Sequence, residues 1–376
     1  MTADDAGSLS AAQVDALFAP LLGMGTLLVA VSGGPDSTAL LLMATEWAAR
    51  GGACVAAATV DHGLRPESAA EAQTVATLAA RLGIPHTILV WNDVKPASRL
   101  QERAREARYR LLIDHARQIG AGAIATAHHA DDQAETVLFR LIRGSGLAGL
   151  AGVEATSARE GVTIARPLLG VPKSDLVAFC RSRGVAFAED PSNSNMAFAR
   201  PRLRTLLIAL GEEGLTAEGL ARFARRAAEA EDALQRMTNA VEARLGASEP
   251  VDANTLFGEP VAVVQRILAR RIAATGGGDQ SRVGLGKVEA LESRLRDAVE
   301  NRRNFTANIG GALVRLNPPG KLSFAPEPAR RSRAAATKPK SRKPERIPAA
   351  PARNGLDTRS DLESGDTSGP SGIRPV

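Results

Sequence analysis

Short apolar runs alternate with longer segments of helical periodicity over roughly the first two hundred residues. Four runs have the length and composition of buried strands: Thr26–Val31, Cys54–Val60, His86–Trp91 and Ala123–Ala127. Segments with apolar residues every three or four positions predict helices over Thr38–Arg50, Ala69–Leu82 and Arg99–Ile119. Strands separated by helices of this length form βαβ units, so we predict an α/β fold with a parallel sheet covered on both faces.

The strand pattern fades after about Gly211. Leu215–Leu245 is rich in Ala, Arg and Glu, with apolar residues at helical spacing, and predicts one or two amphipathic helices. Two more helices are predicted over Pro260–Ala274 and Leu285–Val299, and a hairpin over Asn304–Phe324. We therefore expect an N-terminal helical extension at 1–23, a larger α/β domain at 24–212 and a smaller, mainly helical domain at 213–325.

Charge and composition add a fourth segment. The chain has a net charge of +6, and residues 326–376 hold eleven of its Lys and Arg against six Asp and Glu. This Pro-, Arg- and Lys-rich tail has little to bury, so we expect it to be disordered. The rest of the chain is close to neutral, and its global charge does not indicate nucleic-acid binding.

Location and redox class follow from what the sequence contains. No apolar stretch approaches the ~20 residues that cross a bilayer, and the first residues are acidic and polar, so we expect a cytoplasmic protein without membrane contact. Cys54 and Cys180 form no C-x-x-C pair, which argues against a disulfide scaffold or a zinc ribbon. The sequence leaves the oligomeric state open, with a homodimer among the alternatives.

A glycine-rich loop, Ser32-Gly33-Gly34-Pro35-Asp36-Ser37, follows the first predicted strand and leads into an apolar helix. This arrangement directs backbone N–H groups and a positive helix end at phosphate, and the glycines allow its close approach. The loop has no lysine and is not a Walker A loop. A carboxylate beside phosphate requires a bridging cation, so Asp36 is a candidate Mg²⁺ ligand.

A second polar cluster, His128-His129-Ala130-Asp131-Asp132-Gln133-Ala134-Glu135, follows the fourth predicted strand. Asp132 and Glu135 are three positions apart and share a helix face. Such a cluster can bind Mg²⁺ or an ammonium group, or accept a proton, although acids in a first turn also complement the helix dipole. The pattern does not divide metal and base roles between Asp132 and Glu135. Arg143, at the following Gly-Ser-Gly turn, is a candidate phosphate contact.

These motifs resemble a known superfamily. S-G-G-P-D-S after the first strand resembles the PP-loop of the ATP pyrophosphatases, which split ATP between its α and β phosphates. The run H-H-x-D-D-Q-A-E-T, followed by R-x-x-R-G-S-G, resembles the tRNA(Ile)-lysidine synthases within it. Further matches occur, in order, at Asp61–Arg65, Ala104–Tyr109, Arg166–Leu169 and Glu189–Asn193. The resemblance covers about residues 24–205 and departs from the family at Pro201, where Asn is usual, and at Phe198, where Tyr is common.

The resemblance implies a PP-loop catalytic domain at 24–212 that adenylates the wobble cytidine in the CAU anticodon of tRNA(Ile). The amine of L-lysine then displaces AMP and forms lysidine, which changes decoding from AUG to AUA. In this interpretation Ser32–Ser37 bind ATP, Asp36 and Asp132 hold Mg²⁺, Arg143 stabilises the leaving pyrophosphate, and Asp132 or Glu135 accepts the lysine proton. The residues expected to contact tRNA or the other substrates are His62, Arg65, Arg105, Arg108, His128, His129, Lys173, Arg200 and Arg204.

Other functions remain open at this point. A tRNA thiolase on the same fold would generally need cysteines placed to carry sulfur or a cluster, which Cys54 and Cys180 are not. An amide-forming metabolic PP-loop enzyme would not be expected to carry the H-H-x-D-D-Q-A-E-T run or the arginine series. The intact Asp36, Asp132 and Glu135 argue against a non-catalytic nucleotide-binding or RNA-binding module.

Deletion of residues 326–376 tests the tail as an RNA arm rather than a solubility extension. Arg330–Arg346 holds eight basic residues and one acid, Glu345, so each phosphate contact would add about −0.7 to −0.9 to the slope of log K against log salt. We expect the truncated protein to keep its chemical step and its choice of tRNA but to bind tRNA more weakly at low salt, with a flatter slope. Filter-binding titrations between low and moderate salt measure this, and an unchanged slope would exclude the arm from RNA capture.

Overall fold

A six-stranded sheet lies at the centre of the first part of the chain. The computed structural model describes residues 9–64, 66–95, 98–188, 199–246, 250–277 and 283–328, without the side chains of 199–201. The strands are β1 Thr26–Ala30, β2 Val55–Asp61, β3 His86–Val90, β4 Ala121–Ala125, β5 Thr156–Arg159 and β6 Val162–Ala165. Their order is β3-β2-β1-β4-β6-β5. Neighbours from β3 to β6 run parallel and β5 is antiparallel to β6, so the predicted α/β parallel sheet is confirmed.

Helices cover both faces of this sheet, as parallel sheets require. They are α1 Ala11–Phe18, α2 Pro35–Ala49, α3 Ser68–Arg81, α4 Leu100–Gln118, α5 Ala130–Ile142, α6 Leu147–Leu150 and α7 Lys173–Ser182. Successive residues of β1 point to opposite faces. Leu27 and Val29 join the core beneath α1, α2 and α7, while Leu28 joins a second core with Leu112 of α4.

The short N-terminal helix belongs to the first of these cores. Ser10 caps α1 through Gln13, and the helix buries Val14 and Phe18 completely. Phe18 stacks on Trp47 of α2, with ring centroids 5.2 Å apart. The domain boundaries given above remain predictions.

The second part is mainly helical, as predicted. Its helices are α8 Ala199–Glu212, α9 Ala217–Leu245, α10 Ala253–Phe257, α11 Val261–Gly276 and α12 Leu285–Glu300. In place of the predicted hairpin there is an antiparallel sheet of four strands. They are β7 Val251–Asp252, β8 Phe305–Ile309, β9 Ala312–Asn317 and β10 Lys321–Pro326, in the order β7-β10-β9-β8. This sheet and α10 to α12 enclose a core of their own.

One helix, α9, packs against both parts of the chain. Near its start, Leu220 and Ala224 pack on Ala134 and Val137 of α5. Near its end, Val241 joins the core that the antiparallel sheet encloses with α10 to α12. Ion pairs from Glu231 and Glu242 of α9 to the arginines at 266 and 270 of α11 hold the two helices together. None of the described helices combines the length and the apolar character needed to cross a membrane.

The register of the parallel strands places three loops side by side. Ala30 lies opposite Ala58 of β2, and Val29 lies opposite Ala125 of β4. The loops that follow β1, β2 and β4 therefore leave the same edge of the sheet, where ligands of open α/β folds bind. Asp36 lies in the first helical turn after the first of these loops, and His62 and His129 lie in the second and third loops.

Candidate active site

Internal hydrogen bonds hold the glycine-rich loop between β1 and α2. The Ser37 hydroxyl oxygen accepts a hydrogen bond from the Ser32 backbone N–H at 3.1 Å and donates to the Gly34 carbonyl at 3.1 Å. Gly33 has φ +88°, and a β-carbon there would lie 3.3 Å from Val75. Because the Ser37 hydroxyl proton is used within the loop, main-chain amides are the groups that the loop offers to phosphate.

Asp36 lies in the first turn of α2, which begins at Pro35 with Gly34 at its N-cap. Its Oδ1 atom is buried and has no hydrogen-bond partner in the described part of the chain. Its Oδ2 atom is 3.6 Å from His129 Nε2 and 3.9 Å from Lys173 Nζ. A buried carboxylate oxygen without a partner is unfavourable, so this oxygen is suited to a cation that comes with the substrate.

The imidazole of His129 joins the two loops after β1 and β4. Its Nε2 atom is 3.6 Å from Asp36 Oδ2 and 3.5 Å from Asp132 Oδ2, and its Nδ1 atom is 3.4 Å from Asp131 Oδ2. Burial alone would lower the pKa of His129, but the carboxylates of Asp131, Asp36 and Asp132 outweigh burial and raise it to about 10. The structure thus brings Asp36 and Asp132 together around one positively charged ring.

Asp131 carries a contact that the sequence interpretation missed. Its Oδ2 atom accepts a hydrogen bond from the Lys173 backbone N–H at 3.0 Å, at the start of α7. The neighbouring His129 and this backbone contact lower the pKa of Asp131. The same contact places the Lys173 side chain beside Asp36. In the sequence, only the presence of two adjacent aspartates indicated that one of them has a role outside the metal site.

Glu135 lies one turn further along α5, outside the wall of the cavity. Its side chain is 3% exposed and forms an ion pair with Arg204 of α8, and it is Arg204 that lines the cavity. Asp132, by contrast, lines the cavity itself. Of the two carboxylates proposed as the base, Asp132 therefore has direct access to a substrate, and the division of roles remains a prediction.

Arginines and two neutral histidines, His62 and His128, also line the cavity that Asp132 lines. Burial, opposed by Asp132 and reinforced by Arg166, Arg105 and Arg108, lowers the pKa of His128 to about 4. Burial and the charges of Arg108 and Lys95 lower the pKa of His62. His128 Nδ1 is 2.9 Å from the Thr126 hydroxyl, which fixes the orientation of the ring. Both imidazoles are therefore neutral at pH 7 and can exchange hydrogen bonds with a base or an amine.

Asp61 shapes the loop that presents His62. Its carboxylate accepts hydrogen bonds from the Gly63 N–H at 2.9 Å and from the Ser68 hydroxyl at 2.6 Å, and these two contacts lower its pKa. His62 meets the edge of the Trp91 ring at a centroid distance of 6.0 Å.

Some predicted site residues lie elsewhere. Arg143 ends α5 at an exposed position, where its guanidinium lies 4.0 Å from the Phe139 ring centre. It is eleven residues, about 16 Å of helix, from Asp132 and does not line either cavity, and its role at the pyrophosphate remains a prediction. Its position at a Gly-Ser-Gly turn and the family motif together suggested that role. Arg65, Glu189–Asn193, Phe198, the Arg200 side chain and residues 329–376 lie outside the described residues.

The residues that meet at the sheet edge enclose a cavity of about 980 Å³. Its wall includes the glycine-rich loop, His62, Arg108, His128, Asp132 and Lys173. A volume of this size accommodates a nucleotide together with a small second substrate. A larger groove of about 1410 Å³ adjoins it, and Arg105 lines both.

Comparison with known proteins identifies a PP-loop domain in this chain. A family model described as a PP-loop domain matches residues 8–210. A relative from Methylobacterium nodulans, named tRNA(Ile)-lysidine synthase, is 48% identical over 322 residues, which cover 82% of this chain and 92% of the relative. A protein of the same name from Rhodopseudomonas palustris is 44% identical over 347 residues, which cover 89% and 99%.

Among solved structures, a U34-tRNA thiolase from Methanococcus maripaludis is similar, with a TM-score of 0.49 and 16% identity. The match covers 58% of this chain and 78% of that one.

Substitution of His128 by Gln tests the buried neutral histidine. Because its folded pKa is about 4 and that of an unfolded histidine is ~6.5, only the unfolded chain gains this proton as the pH falls between these values. The contribution of His128 to stability is thus present above pH ~6.5 and lost on acidification, by about 1–3 kcal/mol. Urea unfolding at pH 7.5 and pH 5 should show a smaller acid loss in His128→Gln than in the wild type. Equal losses would contradict the assignment.

Proposed function

The chain belongs to the tRNA(Ile)-lysidine synthases, a family of PP-loop enzymes, and on this premise we propose that it ligates L-lysine to the wobble cytidine of the CAU anticodon of tRNA(Ile). ATP supplies AMP, which activates the ring carbonyl oxygen of the cytidine and leaves when the lysine amine attacks. The observation that carries the proposal is the convergence of Asp36 and Asp132 on His129, beside a glycine-rich loop and below a cationic wall.

The residues around the cavity divide the substrates between them. The main-chain N–H groups of Gly33, Gly34, Asp36 and Ser37, at the N-terminal end of α2, favour the triphosphate. Lys173 adds a positive charge next to Asp36, at the point where the loop meets α7. Arg105 and Arg108, with the neutral His62 and His128, line the side of the cavity that is suited to an RNA base and its phosphates.

Asp36 and Asp132 fit a Mg²⁺ ion that arrives with ATP. The Asp36 Oδ1 atom is buried without a hydrogen-bond partner, and Oδ2 atoms of both carboxylates approach the same nitrogen of His129. Mg²⁺ at phosphate sites is usually held by one or two carboxylates, with phosphate oxygens and waters as its other ligands. When bound, such an ion neutralises the charge that develops on the departing pyrophosphate.

Lysine must attack as a neutral amine, so the site needs a proton acceptor. Asp132 lines the cavity and can receive the proton directly. Glu135 lies behind Arg204, and its charge reaches the cavity through that pair. We therefore propose Asp132 as the group closest to the amine and Glu135 as a residue that positions Arg204 and adds negative charge.

The cysteines of this chain do not favour the rival function of a thiolase. Burial raises the pKa of Cys180 to about 12, so this thiol stays protonated and is a poor nucleophile. Cys54 immediately precedes β2, at the edge of the sheet opposite the cavity. Incubation with radiolabelled lysine, ATP and a tRNA(Ile) transcript decides the question. Lysine incorporated into the RNA supports the proposal, and ATP consumption without incorporation would reject it.

Asp36→Asn and Asp132→Asn should each slow AMP transfer by about 10²–10³, the usual effect of losing one preorganised electrostatic element. Both substitutions keep the size of the side chain, so a thermal melt close to that of the wild type serves as the control for folding. The measurement is tRNA-dependent pyrophosphate release. A rate near that of the wild type in either variant would remove that residue from the metal site.

Glu135→Gln should slow lysine transfer more than adenylation. The substitution removes a negative charge that favours the lysine ammonium near the cavity, whereas the anionic triphosphate gains nothing from that charge. Adenylated tRNA should then accumulate in single-turnover reactions analysed by chromatography or mass spectrometry. If both steps slowed equally, the role of Glu135 would be structural.

A further inference from the structure

Arg166, directly after β6, is a buried cation without an anionic partner in the described part of the chain. The residue as a whole is only 9% exposed. One of its nitrogens, Nη1, donates hydrogen bonds to the Glu154 carbonyl at 2.8 Å and to the Ser157 hydroxyl at 3.1 Å. Its Nε atom is buried and has no hydrogen-bond partner among the described residues. A buried charge that is balanced only by neutral groups is unfavourable, which indicates that an anion completes this site.

Two further arginines near Arg166 also lack carboxylate partners among the described residues. The guanidinium carbons of Arg105 and Arg159 lie 5.2 Å and 4.6 Å from the centre of the Tyr109 ring, with Arg105 on α4 and Arg159 on β5. Arg159 is two residues beyond Ser157, to which Arg166 donates. Arg105 and Arg159 thus share the Tyr109 ring, and Arg166 is hydrogen-bonded two residues before Arg159 on β5, so the three cations form one basic region on α4 and the β5–β6 hairpin.

Other arginines of α4 are paired with carboxylates. Arg103 pairs with Glu106, and Arg117 pairs with Asp114. Arg110 pairs with Asp93 in the loop before the helix. The uncompensated charge of α4 thus includes Arg105, the residue shared by the two cavities. Its field, together with that of Arg166, contributes to the lowered pKa of His128.

Arg105 and Arg166 both line the larger groove, of about 1410 Å³, which the glycine-rich loop does not reach. This groove runs past the N-terminal helix, the β5–β6 hairpin and α9. Two of its carboxylates, Glu231 and Asp232, are already paired with the arginines at 266 and 236. The triphosphate belongs to the other cavity, so the anion beside Arg166 has a different source. A groove larger than one nucleotide is suited to a polymer.

We propose that Arg166, with Arg105 and Arg159 beside it, binds a backbone phosphate of the tRNA strand next to the nucleotide that enters the catalytic cavity. The Arg166 guanidinium, which lines the groove, donates to a phosphate oxygen, and the neighbouring guanidiniums add charge that attracts the same strand. The inference rests on the proposed function in that the ligand is tRNA. It assigns a site to a residue for which the ligation chemistry has no direct role.

Arg166→Met separates a phosphate site from a structural arginine. Met keeps much of the length and the apolar stem while removing an uncompensated buried charge, so the melting temperature of the free protein should stay the same or rise. Affinity for tRNA(Ile) transcript at low salt should fall about 10- to 100-fold, as expected for one charge-assisted hydrogen-bonding group. The salt slope should lose about 0.7–0.9. Affinity for ATP should stay within about twofold of the wild type.

The control is Arg81→Met. Arg81 is an exposed arginine at the end of α3, which precedes β3 and so lies at the sheet edge opposite the cavity. This variant removes the same charge and should bind tRNA with the affinity and salt slope of the wild type. Arg159→Ala should reduce the salt slope in the same direction as Arg166→Met, because its charge belongs to the same site.

Three results would overturn the proposal. An unchanged tRNA salt slope in Arg166→Met would show that no phosphate contact had been lost. A lowered melting temperature together with a matching loss of both tRNA and ATP binding would make Arg166 structural. A loss of ATP affinity alone would assign the anion to the nucleotide. Binding is measured without lysine, so a wild-type protein that binds tRNA as expected but incorporates no lysine would reject the proposed function and leave the phosphate site standing.

Discussion

The site depends on two carboxylates being held against one imidazole. Asp36 and Asp132 lie in the first turns of different helices, α2 and α5, and mutual repulsion would separate them if nothing positive lay between them. His129 supplies that charge and is itself held by Asp131, so the acids stabilise the charged ring and the ring stabilises the acids. The arrangement needs β1 and β4 to be adjacent and parallel, because only then do both loops leave the same edge of the sheet.

Local sequence patterns were sufficient for the parallel sheet and its helices. The buried strands read as continuous apolar runs, since both faces of each strand are covered. The β5–β6 hairpin was not predicted, because strands of four residues are too short to show a period. In the second part, the antiparallel sheet was anticipated only as a hairpin, since its strand β7 is two residues long and lies far from the others in sequence.

The candidate site could be predicted as a set of residue types but not as a set of contacts. Spacing along α5 showed that Asp132 and Glu135 share a face, but it could not show that Arg204, sixty-nine residues away, covers one of them. The distance of Arg143 from Asp132 was not apparent for a related reason. A motif gives the order of residues, whereas a helix of thirteen residues carries its last side chains well away from its first. Long-range pairs of this kind are set by tertiary packing, to which neither period nor propensity is sensitive.

Helix α9 has a mechanical consequence. Its twenty-nine residues span about 43 Å without a break, and its two ends are embedded in different hydrophobic cores. Ion pairs to α11 stiffen the C-terminal half of α9, which packs in the core that contains Val241. A hinge motion between these two packing sites would have to break the helix or separate it from one of them. The core that contains Val241 is therefore held at a constant distance from α5. Any adjustment to a bound substrate must therefore come from the loops, while the helix keeps the distance between its two packing sites constant.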